Sequence, residues 1–429
     1  MAPWLLATYL IVPPLFKASL QQISPVDVTV LLAIPTAAVG GLWLLLNLRR
    51  LGRRRLIVLW LWLGCAALVG AGVLWAPDAA LAARSAAYFI ILATIPLLAA
   101  FPVAAEEGRV RQFLLTFVVA GLIFVVIATI ALFAGELGGR DLIGTNRIGV
   151  ARALVFVPLV GIPLLAWHRF GPREWIFVAV SALAIVLAIA TTSRAPVLFF
   201  VAVGAALTVG ALALSRHRGR VLVRVGAVAL CTVVAFVALS GVLPERSGVR
   251  FVGLLEAAED ALDEGPLGSP EPSGGEGPGG EDPEDPADRP SSIVQRAGLY
   301  RLAMSLFIEH PLLGVGTSGF EVEAMTEPGL EGHDYPHNVV LQVASEFGLV
   351  GLAMFGALGI LALLWWRPTS TASVALGGLA AFLLLNAMLS NGLYENRMLW
   401  GVWMVLLARP PRDVGAAVGR GHGSDPTER

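Results

Sequence analysis

Twelve stretches of the chain are almost wholly apolar, and short polar turns separate most of them. They run near 4–16, 27–47, 56–75, 85–103, 112–134, 150–167, 174–191, 196–214, 221–243, 339–366, 372–390 and 394–408. A helix needs about 20 predominantly apolar residues to cross the hydrocarbon core of a bilayer. The pattern therefore predicts an all-α polytopic membrane protein with about 12 transmembrane helices. The first run is short and contains Pro13-Pro14, which predicts a tilted or re-entrant segment. Met1-Ala2-Pro3-Trp4 lacks the basic n-region and small-residue cleavage site of a secretory signal, so this run is expected to be retained. The organisation that follows is helices 1–9 over 1–243, a large external loop over 244–338, helices 10–12 over 339–408, and a disordered cytoplasmic tail over 409–429.

The loop between helices 9 and 10 changes texture partway along. Residues 264–290 are nearly all Gly, Pro, Glu, Asp and Ser, with almost nothing to bury, and are expected to form a disordered acidic spacer. Residues 292–336 read as helical. Ile293, Ala297, Tyr300, Met304, Phe307 and Ile308 recur at helical spacing and predict an amphipathic helix buried on that face, ending before Pro311. Gly314, Gly316 and Gly319 permit tight turns ahead of a second short helix.

Composition agrees with the membrane assignment. Of 429 residues, 56% are hydrophobic and 14% charged, whereas soluble domains carry roughly 25% charged residues. The formal charge of −1 conceals a division: Pro244 to His337 holds 19 acidic and 5 basic residues, a local charge of −14, leaving +13 elsewhere. Basic residues mark cytoplasmic loops. Arg49, Arg50, Arg53, Arg54 and Arg55 fall in one turn, and by alternation Arg109, Arg111, Arg169, Arg173, Arg216, Arg218, Arg220 and Arg367 fall on the same side. Both termini are then cytoplasmic and the acidic loop lies outside. Cys65 and Cys231 each sit in an apolar run, where a thiol behaves as a small hydrophobe.

Arginines on the outer side go against that topology. Arg147, Arg152, Arg194, Arg246, Arg250, Arg296, Arg301 and Arg397 are all placed there. Each could snorkel towards lipid head groups. Alternatively, guanidinium forks at one depth would bind phosphate oxygens bidentately, so that an anionic lipid carrier is the ligand. Arg194 is the most informative, because it occupies a turn of a few residues between two long apolar helices and is followed by Pro196. His337 stands where the tenth helix begins, either as a polar cap residue or as a general base, and Asn338 beside it is an N-cap candidate. A zinc pair of His333 and His337 would require a helix through Pro336, which proline opposes. No Gly-rich phosphate loop ending in Lys-Ser/Thr, nucleophile elbow or basic aromatic stripe for nucleic acid is present.

Three groups of residues together resemble the O-antigen ligase superfamily, which also holds Wzy-type polymerases and general O-oligosaccharyltransferases. They are Arg296-x-x-x-Tyr300, Pro311-Leu312-Leu313-Gly314-Val315-Gly316, and His337-Asn338-x-x-Leu341-Gln342-x-x-x-Glu346-x-Gly348-Leu349-Val350-Gly351. Ser193-Arg194 is similar to the family's arginine turn, and Gly144-Thr145-Asn146-Arg147 is a looser match to another external motif. The resemblance implies a GT-C-type membrane glycosyltransferase of the bacterial cytoplasmic membrane, acting on its outer, periplasmic side without cofactor or metal. Its donor would be an undecaprenyl-pyrophosphate-linked glycan, and its acceptor a hydroxyl on a lipid- or protein-linked molecule. Transfer would invert the anomeric carbon. His337 would be catalytic, and Arg194, Arg147, Arg296, Asn338 and Tyr300 would bind substrate; the acidic insert departs from the family's usual compact loop.

Three alternatives remain at this level. A Wzy-type polymerase would share the motifs and differ in its acceptor. A metal-dependent enzyme could use Asp27 in the first external loop. A polysaccharide transporter or flippase is compatible with twelve helices, although no paired Gly/Pro-broken helices occur in corresponding halves.

Overall fold

The computed structural model describes residues 1–21, 27–137, 141–142, 145–165, 172–191, 193–214, 218–243, 292–327, 330, 335–390, 392–394 and 396–410. The acidic stretch 264–290, His333, Arg246, Arg250 and the tail from 411 lie outside these residues, as does Gly144. Each of the twelve apolar runs contributes a helix among the described residues. In order they form α1 (Ala2–Gln21), α2 (Val28–Asn47), α3 (Arg53–Ala71), α4 (Ala79–Ala104), α5 (Glu107–Phe133), α6 (Arg147–Leu165), α7 (Pro172–Ala190), α8 (Arg194–Leu214) and α9 (Arg218–Leu239). The loop segment contributes α10 (Ser292–Glu309) and α11 (Gly319–Thr326), followed by α12 (Val339–Trp365), α13 (Thr371–Ala387) and α14 (Arg397–Leu407). A two-residue hairpin, β1 (Asp141–Leu142) with β2 (Thr145–Asn146), leads into α6.

Eight of these helices are long and apolar enough to cross a membrane. The apolar parts of α1, α7, α13 and α14 are shorter, at Ala2–Leu15, Glu174–Ala190, Thr371–Ala387 and Arg397–Leu407. The chain is a multi-pass helical membrane protein. Its outward faces carry Leu222, Val223, Leu230, Val233, Val234 and Val237 along α9, a stripe that suits lipid rather than water. Asp27, weighed above as the carboxylate of a metal-dependent enzyme, caps α2, its carboxylate accepting the Thr29 amide at 2.7 Å.

The bundle closes around α4, which packs against α1, α2, α3, α5 and α14. Helices in lipid gain little from hydrophobic exclusion, so close van der Waals packing holds them together. Trp62, Phe89, Phe355 and Trp400 form one aromatic cluster, with Phe89 to Trp62 at 5.3 Å and Phe355 to Trp400 at 5.7 Å between centroids. Phe113, Phe117, Phe156 and Phe382 extend edge-on in a second chain across α5, α6 and α13.

The feature that seats the loop segment is a break inside α12. Gly348, at φ 60° and ψ −151°, interrupts the helix, in a region that is essentially glycine-only. Carbonyls before the break and amides after it lose their helical partners, and the Pro311–Gly316 strip takes their place. Val315 N and Gly316 N donate to Ser345 O and Glu346 O, both at 2.9 Å, while Leu349 N and Val350 N donate to Pro311 O at 2.8 Å and Leu312 O at 3.2 Å. Backbone at membrane depth must be paired somewhere, and here two segments satisfy each other. A Cβ on Gly314 would lie 2.3 Å from the Glu346 carbonyl carbon.

The buried face of α10 differs from the one the periodicity predicts. Leu299, Ala303 and Leu306 are buried, against Val315, Phe320, Ala324 and Leu330. Ala297 is exposed, as are Met304 at 46% and Ile308 at 69%. Of the predicted stripe, Ala297, Met304 and Ile308 face outward while Tyr300 and Phe307 are half-buried. Leu312 is 64% exposed, and its carbonyl accepts from Val350 N, a residue itself exposed on α12. A tryptophan introduced at Leu312 is therefore expected to be quenched by lipids brominated on their acyl chains. Quenching by aqueous iodide alone would instead place this strip in water.

Candidate active site

The polypeptide turns a corner at Tyr335–Asn338 before entering α12. Asn338 caps the helix, its side-chain oxygen accepting from Val340 N at 3.0 Å and Leu341 N at 3.2 Å. His337 has a φ of +54°, a left-handed conformation in which His is enriched several-fold among non-glycine residues. Its half-buried ring packs edge-on against Tyr335, with centroids 4.6 Å apart. The carboxamide oxygen of Asn338 is thus committed to the backbone. Asn338→Asp is expected to keep the cap, and Asn338→Ala to cost about 1 kcal/mol of stability, read as a lower melting temperature in detergent for Ala but not for Asp.

A polar chain leads from this corner into the bundle. The Tyr335 hydroxyl donates to Ser390 O at 3.4 Å, and the Ser390 hydroxyl donates to Asn386 O at 2.8 Å while accepting from Arg152 Nη2. Arg152 Nε also donates to Asn386 Oδ1 at 3.2 Å. These bonds fix the start of α6 and the end of α13 at the same end of the bundle as His337. Arg147 opens α6, five residues before Arg152 and hence about 7.5 Å along the axis. α7 runs back from α6 and α8 returns, so Arg194, which opens α8, lies at this end too; α8 packs on both α6 and α13.

Arg194 is half-buried and Arg147 exposed. Arg296 and Tyr300 are half-buried on the first half of α10, which is held against α11 and α12. Arg194, Arg296 and Tyr300 make no side-chain hydrogen bond or ion pair with another described residue, so their polar groups are available to a ligand. His337, Arg147 and Arg194 thus share one end of the bundle, and Arg296 and Tyr300 join them only through the seating of α10 on α12.

Beneath the corner, Gln342 and Glu346 project from α12 one and two turns after Asn338. Gln342 Oε1 accepts Leu393 N at 2.7 Å and its Nε2 donates to Glu346 Oε1 at 3.3 Å. The Tyr394 hydroxyl donates to Glu346 Oε2 and accepts from Ser318 N at 3.0 Å. This network ties α12, the strip before α11 and the connection before α14 into one floor. Neither it nor the Arg152–Asn386–Ser390 group was predicted as part of the site. The available signal was the recurrence of Asn386 and Ser390 four residues apart in an otherwise apolar run, since polar side chains at membrane depth mark function or a specific partner.

Residues 178–356 match the model of the family Wzy_C, O-Antigen ligase. Over this stretch the chain is similar to that family. No curated protein matches the chain. The matched stretch runs from within α7 to beyond the break in α12, and it includes Arg194, Arg296, Tyr300, His337, Asn338, Glu346 and Gly348. Arg147, Arg152, Ser390 and Tyr394 lie outside the matched stretch, yet the fold ties Arg152, Ser390 and Tyr394 to the Tyr335–Asn338 corner or to the network beneath it. Members of the Wzy_C family are glycosyltransferase-like membrane enzymes, and the family implies lipid-linked glycan and acceptor substrates.

Proposed function

We propose that this chain is a metal-independent, inverting glycosyltransferase of the O-antigen ligase kind, moving a glycan from undecaprenyl pyrophosphate to an acceptor hydroxyl. The reaction takes place on the periplasmic side of the cytoplasmic membrane, with both chain termini in the cytoplasm and twelve helices in a GT-C-type arrangement. The observation that supports this reading is that the His337 corner, within the stretch similar to Wzy_C, lies at the same end of the bundle as the arginines that open α6 and α8.

The chemistry follows from charge and geometry. His337 takes the proton of the acceptor hydroxyl as its oxygen forms a bond to the anomeric carbon. The bond from that carbon to the pyrophosphate oxygen breaks in the same displacement, and the electron pair leaves on the lipid pyrophosphate. Arg194, Arg147 and Arg296 hold that group and stabilise the charge growing on it, while Tyr300 and the corner beside Asn338 border the glycan. A base that removes the hydroxyl proton is worth 10²–10⁴-fold in rate.

The test is a purified-protein assay with lipid-linked glycan and an acceptor lipid, read by gel. Transfer of whole glycan to the acceptor is expected, with Arg194→Ala raising the donor KM and lowering kcat/KM by about tenfold or more, since charge-assisted hydrogen bonds carry about 1.5–3 kcal/mol. Extension of one lipid-linked glycan by another would assign the acceptor to the polymerase class. Movement of lipid across the bilayer with no new glycosidic bond would overturn the enzymatic reading.

A further inference from the structure

Five arginines fall within seven residues where α2 passes into α3: Arg49, Arg50, Arg53, Arg54 and Arg55. A single 3-10 turn, Leu48–Arg50, makes the connection, and α3 begins at Arg53. Arg54 lies over the Trp365 ring at 5.0 Å. Trp365 ends α12, which begins just after His337, so the cluster stands at the opposite end of the bundle from the His337 corner.

Two of the five guanidiniums hold the fold together. Besides Arg54 on Trp365, Arg55 lies over the Trp43 ring at 5.5 Å, and its Nε donates to Ala408 O at 3.0 Å. These contacts tie α3 to the ends of α2, α12 and α14. Arg49, Arg50 and Arg53 are exposed. The acids of the neighbouring α4–α5 turn are engaged elsewhere: Glu106 pairs with Arg109 at 2.8 Å, and Glu107 takes Arg409 and the Ser370 hydroxyl.

Each side of the turn has an apolar stripe running down from it. On α2, Leu42, Leu45 and Leu46 precede Arg49 at spacings of three and four, which puts all four on one side of the helix. On α3, Arg53, Ile57 and Trp60 follow the same rule. All of these residues are exposed, Leu45 and Leu46 at 74% and Trp60 at 69%, and both helices pack on α4. The change from apolar to cationic takes one turn of helix, about 5 Å. Such a surface suits acyl chains below and phosphate oxygens above, since a guanidinium fork accepts a phosphate bidentately.

We propose that the α2–α3 turn binds an anionic phospholipid, its phosphodiester held by Arg49, Arg50 and Arg53 and its acyl chains laid along the stripes of α2 and α3. Zwitterionic lipids fit the same stripes but bring a positive head group to three guanidiniums. The site is independent of the reaction proposed above, and neither stands or falls with the other. Because Arg54 and Arg55 clamp the ends of three other helices, a lipid bound here stabilises that end of the bundle.

The experiment uses the full chain, delipidated in detergent at low salt. Phosphatidylglycerol, phosphatidylcholine and inorganic phosphate are titrated separately, with bound ligand counted by native mass spectrometry and the melting temperature followed in parallel. Phosphatidylglycerol is expected to bind tightest and to raise the melting temperature. Binding should weaken about fivefold for each of Arg49→Gln, Arg50→Gln and Arg53→Gln, and on the order of a hundredfold when the three are combined. The single variants carry the test if the triple variant inserts poorly. Arg111→Gln, an exposed arginine beyond the α4–α5 turn, should bind as the wild type does. Equal binding of phosphatidylcholine and phosphatidylglycerol, or unchanged binding in the folded variants, overturns the site. Equal weakening by Arg111→Gln overturns it in favour of diffuse surface charge. Inorganic phosphate held by these arginines and not displaced by phosphatidylglycerol overturns the lipid assignment in favour of a soluble anion.

Discussion

Substitution of His337 is expected to lower glycan transfer by about 10²–10⁴-fold while leaving the protein folded in the membrane. The choice of substituent matters because His337 sits at φ +54°. Alanine is poorly suited to that conformation, so His337→Ala combines loss of the ring with backbone strain. Asparagine visits it readily but cannot serve as a base. His337→Asn is therefore expected to melt near the wild type and to be as inactive as His337→Ala. The measurement is initial transfer rate at saturating donor, normalised to folded protein by size exclusion. Substantial activity in His337→Asn would remove His337 from the proton transfer and leave it a corner residue packed on Tyr335.

The second large effect concerns folding. A Cβ at Gly348 would lie 2.5 Å from the carbonyl carbon of Leu312, and the backbone there is in a region that costs non-glycine residues about 1–3 kcal/mol. Gly348→Ala is therefore expected to destabilise by more than that strain alone, because the 311–316 strip must also move. Gly356 lies on the same helix with open space around it, so Gly356→Ala should be neutral or stabilising by up to about 1 kcal/mol. The comparison is a thermal melt of both variants in one detergent. Equal melting temperatures would mean that the strip is not seated on the break as described.

How far the sequence could be read varied with the range of the interaction involved. His337 and Asn338 were legible because a cap is local: a short polar side chain immediately before an apolar run has few other uses, and Asn338 forms the expected bonds to Val340 and Leu341. The glycines at 314, 316 and 348 were visible as glycines, but their pairing was not. What joins Gly316 to Glu346 and Leu349 to Pro311 is backbone hydrogen bonding across some thirty residues, and no side-chain pattern encodes it. The face of α10 failed for a different reason. Periodicity separates apolar from polar, whereas α10 has protein on one apolar side and outward-facing Met304 and Ile308 on another. Arg152 was noted as a misplaced charge, but its partners Asn386 and Ser390 are more than 230 residues away.

The break in α12 also bears on how the chain is made. Residues 311–316 leave the ribosome before residues 345–350, and synthesis proceeds at about 5–20 residues per second. The strip is therefore made before the carbonyls and amides that it will pair with. Helices α10 and α11 can coil on export, but their docking waits until α12 has been inserted with its two halves bent around Gly348. The seating of the strip thus follows the insertion of α12, and the ties of the His337 corner to Ser390 follow only once α13 has been made.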